Sequence, residues 1–376
     1  MSSNKQSSLN DIMRRHASTP LYVPLSRWTD VHLELLGVRF SEHPTIVHPV
    51  PTIKGMLKPS RIALRLAENL YTLESSPDEA TPDAIKHIMS TLFPTTMSYP
   101  ETDAILNFCF AQQVFYKAVQ IPCLWRIHRS ADITSDPVPA LPSTSLHPGP
   151  RDDQEMRMEY APVLAYVNMS QLAVLRKNQY TAVPRPGNNE PVARLRKLQS
   201  KRLVPENADR DPYIFATLLT MAQACFYTSP SQFSCHGDRQ PSHTPTPLFR
   251  DVKVQVVTHR GHGDNANFVV YTAIVTAAFL MRFGVPTSQD GSGGMEISYT
   301  PVRVYPLLGL KERLAKALGP DTTGDPPSNG RIKYWDPLLE HPQPPNPIVT
   351  RKRRAETTSR GSCPGNPAKP KKRRIR

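Results

Sequence analysis

Between Asp211 and Phe226 the chain reads Asp-Pro-Tyr-Ile-Phe-Ala-Thr-Leu-Leu-Thr-Met-Ala-Gln-Ala-Cys-Phe. No other stretch restricts the architecture so tightly. An Asp-Pro pair starts a helix well, because the carboxylate accepts free N–H groups of the first turn and proline supplies the helical φ. The residues that follow, Tyr213–Phe226, are apolar on nearly every side. A helix without a polar face must be enclosed, so this segment is expected to form the centre of the fold.

What could enclose it follows in the chain. Val252–Thr258 alternates, with Val252, Val254 and Val256 on one face and Lys253, Gln255 and Val257 on the other. His259–Ala266 contains glycines and reads as a turn, and Asn267–Val275 as the second strand of a hairpin. Thr276 is placed to cap a helix over Ala277–Phe283 that stops at Gly284. After a Gly/Ser loop over Ser288–Gly294, Glu296–Tyr305 reads as a third strand, and Leu308–Leu318 as a helix ended by Gly319-Pro320. Upstream, Ser60 caps an amphipathic helix over Arg61–Leu73, and Thr81-Pro82 opens another with Ile85, Ile88, Met89 and Leu92 inward. Thr102–Val119, with Ile105, Leu106, Cys109, Phe110, Val114 and Phe115, also reads as a helix. Val163–Arg176 is apolar and periodic, and Val192–Arg202 reads as a basic amphipathic helix with Leu195 and Leu198 facing inward. The expected class is α+β: a helix-rich N-terminal half packed with a small, mostly antiparallel sheet, with long Pro-rich loops and disordered termini.

Forty prolines set the organisation of the 376 residues. Proline clusters in 130–157 and in Thr228–Pro247 exclude helix and central strand there. The expected order is a flexible arm over 1–20, a helical region over 21–129, a Pro-rich linker or loop over 130–157, an α+β core over 158–320 and a disordered basic tail over 321–376. In the arm, Arg14-Arg15-His16-Ala17-Ser18 places a serine where a basophilic kinase could use it, but such matches occur often by chance and a solvated arm is the expectation.

The net charge of +14 is concentrated at one end. Residues 351–376 hold eleven Lys or Arg against the single acid Glu356, a net +10, which leaves +4 for residues 1–350. Two clusters, Arg351-Lys352-Arg353-Arg354 and Lys371-Lys372-Arg373-Arg374, are joined by Ser, Gly, Pro and Asn. They resemble a nuclear localisation signal, bipartite or two monopartite copies. An import receptor reads such a segment extended, with lysine stems along tryptophans and ammonium groups against acids. A nucleic-acid arm held by counterion release is a second use of the same charge. The opening residues lack the apolar segment of a secretory leader, the five cysteines are irregularly spaced, and apolar stretches such as Phe268–Leu280 are too short to span a bilayer. A reducing compartment, the nucleus, and no membrane partner are expected.

Several runs taken together are similar to a group of filamentous-fungal proteins with no assigned activity. These are Arg210-Asp211-Pro212-Tyr213-Ile214 with Ala222-Gln223-Ala224, Asp251-Val252-Lys253-Val254-Gln255, Val270-Tyr271-Thr272-Ala273 and Pro306-Leu307-Leu308-Gly309-Leu310-Lys311-Glu312-Arg313-Leu314. The likeness covers about residues 190–320 and implies an origin and domain limits, with no site residues.

Candidate chemistry is sparse. Asp251-Val252-Lys253 resembles the Asp/Glu-x-Lys element of PD-(D/E)xK nucleases, in which carboxylates hold Mg²⁺ and the lysine assists the attacking water or the phosphate. That chemistry needs a further acid on an adjacent strand, and none is evident in the sequence. Cys225, Cys235, His236 and His243 match no standard zinc spacing, and Cys225 lies on the apolar helix. His259, His262 and Asp264 share a glycine turn, which turn chemistry explains. No phosphate loop, nucleophile elbow, HExxH or kinase set is present. The reading is a nuclear, non-enzymatic protein whose body binds an unknown protein partner and needs no metal or cofactor. The alternative is a Mg²⁺-dependent nuclease or other nucleic-acid-binding protein using Asp251 and Lys253.

Overall fold

A computed structural model describes residues 8–49, 60–75, 81–111, 113–128, 160–180, 190–227, 247–288 and 293–324. The chain divides by contacts into Met1–Tyr334 and Trp335–Arg376, and every described residue belongs to the first unit.

The described helices are α1 (Leu9–Arg15), α2 (Asp30–Leu36), α3 (Arg61–Ser75), α4 (Thr81–Leu92), α5 (Met169–Asn178), α6 (Glu190–Arg202), α7 (Pro212–Ala224), α8 (Ala277–Gly284), α9 (Leu310–Leu318) and the short α10 (Pro320–Thr323). The strands are β1 (Val38–Glu42), β2 (Glu101–Phe110), β3 (Gln113–His128), β4 (Tyr160–Tyr166), β5 (Val252–Arg260), β6 (Asn267–Val275) and β7 (Met295–Arg303). They form one seven-stranded sheet in the order β1-β7-β6-β5-β4-β3-β2. β1–β7 and β4–β5 pair parallel, and the other four neighbours antiparallel.

As the apolar run requires, α7 lies at the centre. Every residue from Pro212 to Gln223 is buried. Asp211 caps it, accepting from the Tyr213 N–H at 2.8 Å. The polar groups caught inside are paired: Thr217 Oγ1 donates to the Tyr213 carbonyl at 2.8 Å and Thr220 Oγ1 to the Thr217 carbonyl at 3.0 Å. Gln223 accepts from the Cys109 N–H at 2.9 Å and donates to the Cys109 carbonyl at 2.8 Å. One amide side chain thus substitutes for a missing strand at the β2 edge.

Both sheet faces are covered. Val254 and Val256 of β5 belong to the cluster around α7. Gln255 points the other way, and its Nε2 donates to the Leu318 carbonyl at the end of α9 (3.0 Å) and to Thr272 Oγ1 (2.9 Å). Thr322 Oγ1 donates to Gln255 Oε1 at 2.7 Å, which completes a buried and fully paired network.

Three expectations are corrected. The sheet is larger than the small one predicted, because the run read as a helix over Thr102–Val119 is a hairpin of β2 and β3. Both periods fit that run. The alternation that decides is Ala104, Leu106, Phe108 and Phe110, all buried. Its turn carries no Asn-Gly signal; Ala111 takes the left-handed conformation at φ 52°. Second, Val163–Arg176 changes structure midway: β4 ends, and Asn168 Oδ1 caps α5 by accepting from the Ser170 and Gln171 N–H groups at 2.9 and 3.3 Å. Third, part of the expected N-terminal arm is helix α1. A Ser8–Asp11 capping box starts it, Leu9 is buried, and the Asn10 N–H donates to the Pro286 carbonyl at 3.0 Å. Arg14 and Arg15 fall in its last turn. The Pro-rich segments 130–157 and 228–246 and the tail from 325 onward lie outside the described residues, as do residues 1–7. Among the described residues no helix is long and apolar enough to cross a membrane.

Candidate functional site

Asp251 and Lys253 each have a partner in the frame of the fold. Asp251 Oδ1 accepts from the Ala277 N–H at 2.8 Å, so the carboxylate helps Thr276 start α8. Lys253 Nζ donates to Asp321 Oδ2 at 3.0 Å, an ion pair at the solvent edge of α10. Among the described residues, no group of three or more His, Cys, Asp or Glu side chains is placed to hold a metal ion. Cys225 is buried at the end of α7, with its Sγ 3.5 Å from the Met221 carbonyl. Cys235, His236, His243 and the basic residues Arg351, Lys352, Arg353, Arg354, Lys371, Lys372, Arg373 and Arg374 lie outside the described residues.

The glycine turn is built for shape. Gly261 sits at φ 76°, and a Cβ there would lie 2.3 Å from the Asn265 carbonyl oxygen, so only glycine fits. Glu74 of α3 ties the turn down, accepting from the Gly263 N–H at 3.0 Å and from the Tyr305 hydroxyl at 3.4 Å. His259 faces Phe268 across the hairpin at 5.6 Å between ring centres. Burial pushes its pKa down to about 4, against the opposing pull of Glu74. His259 Nε2 is buried without a hydrogen bond among the described residues. The imidazole is therefore neutral near pH 7.

The tertiary structure forms a cavity of about 460 Å³ that the sequence does not announce. Pro82 of α4, Asp103 of β2, Gln120 of β3, Asn168 and Gln171 at the start of α5, and Tyr213 of α7 contribute to its wall. Asp103 adopts φ 51° and is skipped by the β2–β3 register. Tyr213 donates to the Gln120 carbonyl at 3.3 Å, and burial pushes its pKa up to about 12. Behind it, Arg176 grips Asp211 through two contacts at 2.5 and 2.6 Å, both side chains almost wholly buried. The cavity wall offers amides, a phenol and one carboxylate.

The surface helix α6 departs most from expectation. Leu195 and Leu198 face outward, at 56% and 57% exposure, with Val192 also exposed. No residue of α6 is buried. Amphipathic spacing was legible in the sequence; which way the apolar stripe points was not, because that depends on whether another element covers it. The helix carries Arg194, Arg196, Lys197, Lys201 and Arg202 against the single acid Glu190. Arg194 pairs with Glu190 at 2.5 Å on the open surface.

Comparison with protein-family models, curated proteins and solved structures gives no match.

Proposed function

We propose that the protein is a nuclear, non-enzymatic binding protein, whose body holds a protein partner and whose basic C-terminal clusters are read by an import receptor. The observation that carries the body's role is the outward stripe of Val192, Leu195 and Leu198 on a helix with no buried residue. A helix of thirteen residues is marginal in water on its own, and most helices in proteins gain stability by burying an apolar face. Here that face is left for a partner. The delivery role rests on the two basic clusters within residues 351–376 and their resemblance to a nuclear localisation signal.

Delivery is tested by localising a fluorescent fusion of the full chain. Replacing Arg351, Lys352, Arg353, Arg354, Lys371, Lys372, Arg373 and Arg374 by Ala is expected to abolish nuclear accumulation. Undiminished accumulation would refute the assignment.

A further inference from the structure

We infer that α6 is a helix-in-groove ligand, and that its partner is an acidic protein whose apolar groove is flanked by Asp and Glu side chains. The inference rests on the partner-binding reading above and specifies the chemistry of that partner.

The charge argument is quantitative. Five cations and one acid give α6 a net +4. That equals the net charge of residues 1–350 as a whole, so α6 is strongly basic within a body of low net charge. At 3.6 residues per turn, Val192, Leu195 and Leu198 share an arc of about 120°. Arg194 and Lys201 lie on one flank of that arc and Arg196 on the other, Lys197 is on the back of the helix, and Arg202 falls within the arc one turn beyond Leu198. The helix thus shows an aliphatic stripe between basic margins. Its complement is an apolar groove between acidic margins.

Other occupants satisfy only part of this surface. A second copy would bring +4 against +4. A nucleic acid would use the cations and leave the aliphatic stripe in water, since phosphate binding is an electrostatic, counterion-release effect. Lipid binding scales with the apolar area buried and is strengthened by Trp and Phe as well as Leu, whereas this stripe is only three aliphatic side chains long and has no aromatic residue.

The test uses the full-length chain and calcium-loaded calmodulin as the probe, an acidic protein whose apolar groove takes amphipathic helices. Binding is followed by fluorescence anisotropy. The proposal expects binding that is lost on calcium removal, is kept by Leu195→Met/Leu198→Met, and is weakened at least about tenfold by Leu195→Asp/Leu198→Asp, tenfold corresponding to about 1.4 kcal/mol. Circular dichroism and thermal melting check that the Asp variant keeps its fold. Replacing the two tail clusters by Ala is expected to leave affinity for the probe unchanged. The proposal is overturned if no binding occurs, if the Asp variant binds equally, or if the tail variant alone abolishes binding. It is also overturned if the Asp variant instead loses binding to equimolar phosphatidylserine/phosphatidylcholine vesicles or to a short DNA duplex. A photo-crosslinking residue at position 195, exposed to nuclear extract, separates the two levels of failure. If the probe fails but a protein adduct forms that Leu198→Asp abolishes, and mass spectrometry maps it to a groove without acidic margins, the acidic-groove class is wrong and the partner-binding reading stands. With no adduct, both fall.

Discussion

Helices α6 and α7 are each thirteen residues long and are separated only by residues 203–211, yet the fold treats them in opposite ways. Every residue of α7 from Pro212 to Gln223 is enclosed, and its stability comes from packing. In α6 nothing is enclosed, and its side chains are left to solvent or to a partner. The contrast teaches that helical spacing is shared by core and interface elements alike, and that the number of apolar faces separates them. A helix apolar all round can only be inside. A helix apolar along one arc is inside or outside according to what else reaches it.

The strongest way to break this contrast is truncation. Phe215→Ala in α7 is expected to cost about 3–5 kcal/mol, because it removes a fully buried ring and leaves a cavity. Leu198→Ala in α6 is expected to stay within about 0.5 kcal/mol, as surface changes do. Chemical denaturation of both variants checks the pair; comparable losses would show that α6 is packed.

A second measurement sharpens what holds α7 in place. Arg176→Met leaves the Asp211 carboxylate buried without its guanidinium, for an expected loss of about 3 kcal/mol. Adding Asp211→Asn to that variant should recover part of it, since the amide keeps the cap on Tyr213 without the stranded charge. Additive losses would mean the ion pair is not a unit.

A pH-dependent effect lies at the glycine turn. His259 has a depressed pKa in the folded state, about 4, so the unfolded chain binds more protons between that value and about 6.5. Its contribution is present above pH 6.5 and is lost as pH falls toward 4. His32, whose pKa burial also lowers, acts in the same direction. His259→Phe is expected to flatten part of the fall in melting temperature over that window. An unchanged slope would place the whole effect elsewhere.

Much of the local structure was legible. Asp211-Pro212 started a helix where the structure has one, the alternation of Val252, Val254 and Val256 marked β5, and Thr276 caps α8. Ser8-x-x-Asp11 was an equally local signal, and it starts α1 within what had read as an arm. The β2–β3 hairpin was obscured because its apolar residues satisfy helical and alternating periods together, and its turn relies on Ala111 rather than glycine. Of the candidate residues, Asp251 and Lys253 were visible as a pair, but their engagement with Ala277 and Asp321 was not. The cavity was invisible for the same reason, since its wall draws on segments from Pro82 to Tyr213.

The sequence alone determined that the all-apolar segment must be enclosed and where the net charge gathers: a helix with no polar face, strands with strict alternation, and a C-terminal stretch carrying +10 of the net +14. Those properties are set within a few residues of chain. The tertiary structure decided everything that needs a distant partner. It paired β1 with β7 and β4 with β5 in parallel, and turned Leu195 and Leu198 outward. It also drew Arg313 inward to donate to the carbonyls of Arg303, Pro49, Val304 and Pro306. A buried arginine is tolerated only where such acceptors converge, and strand order is chosen by which faces remain to be covered. Neither condition is written in any one segment.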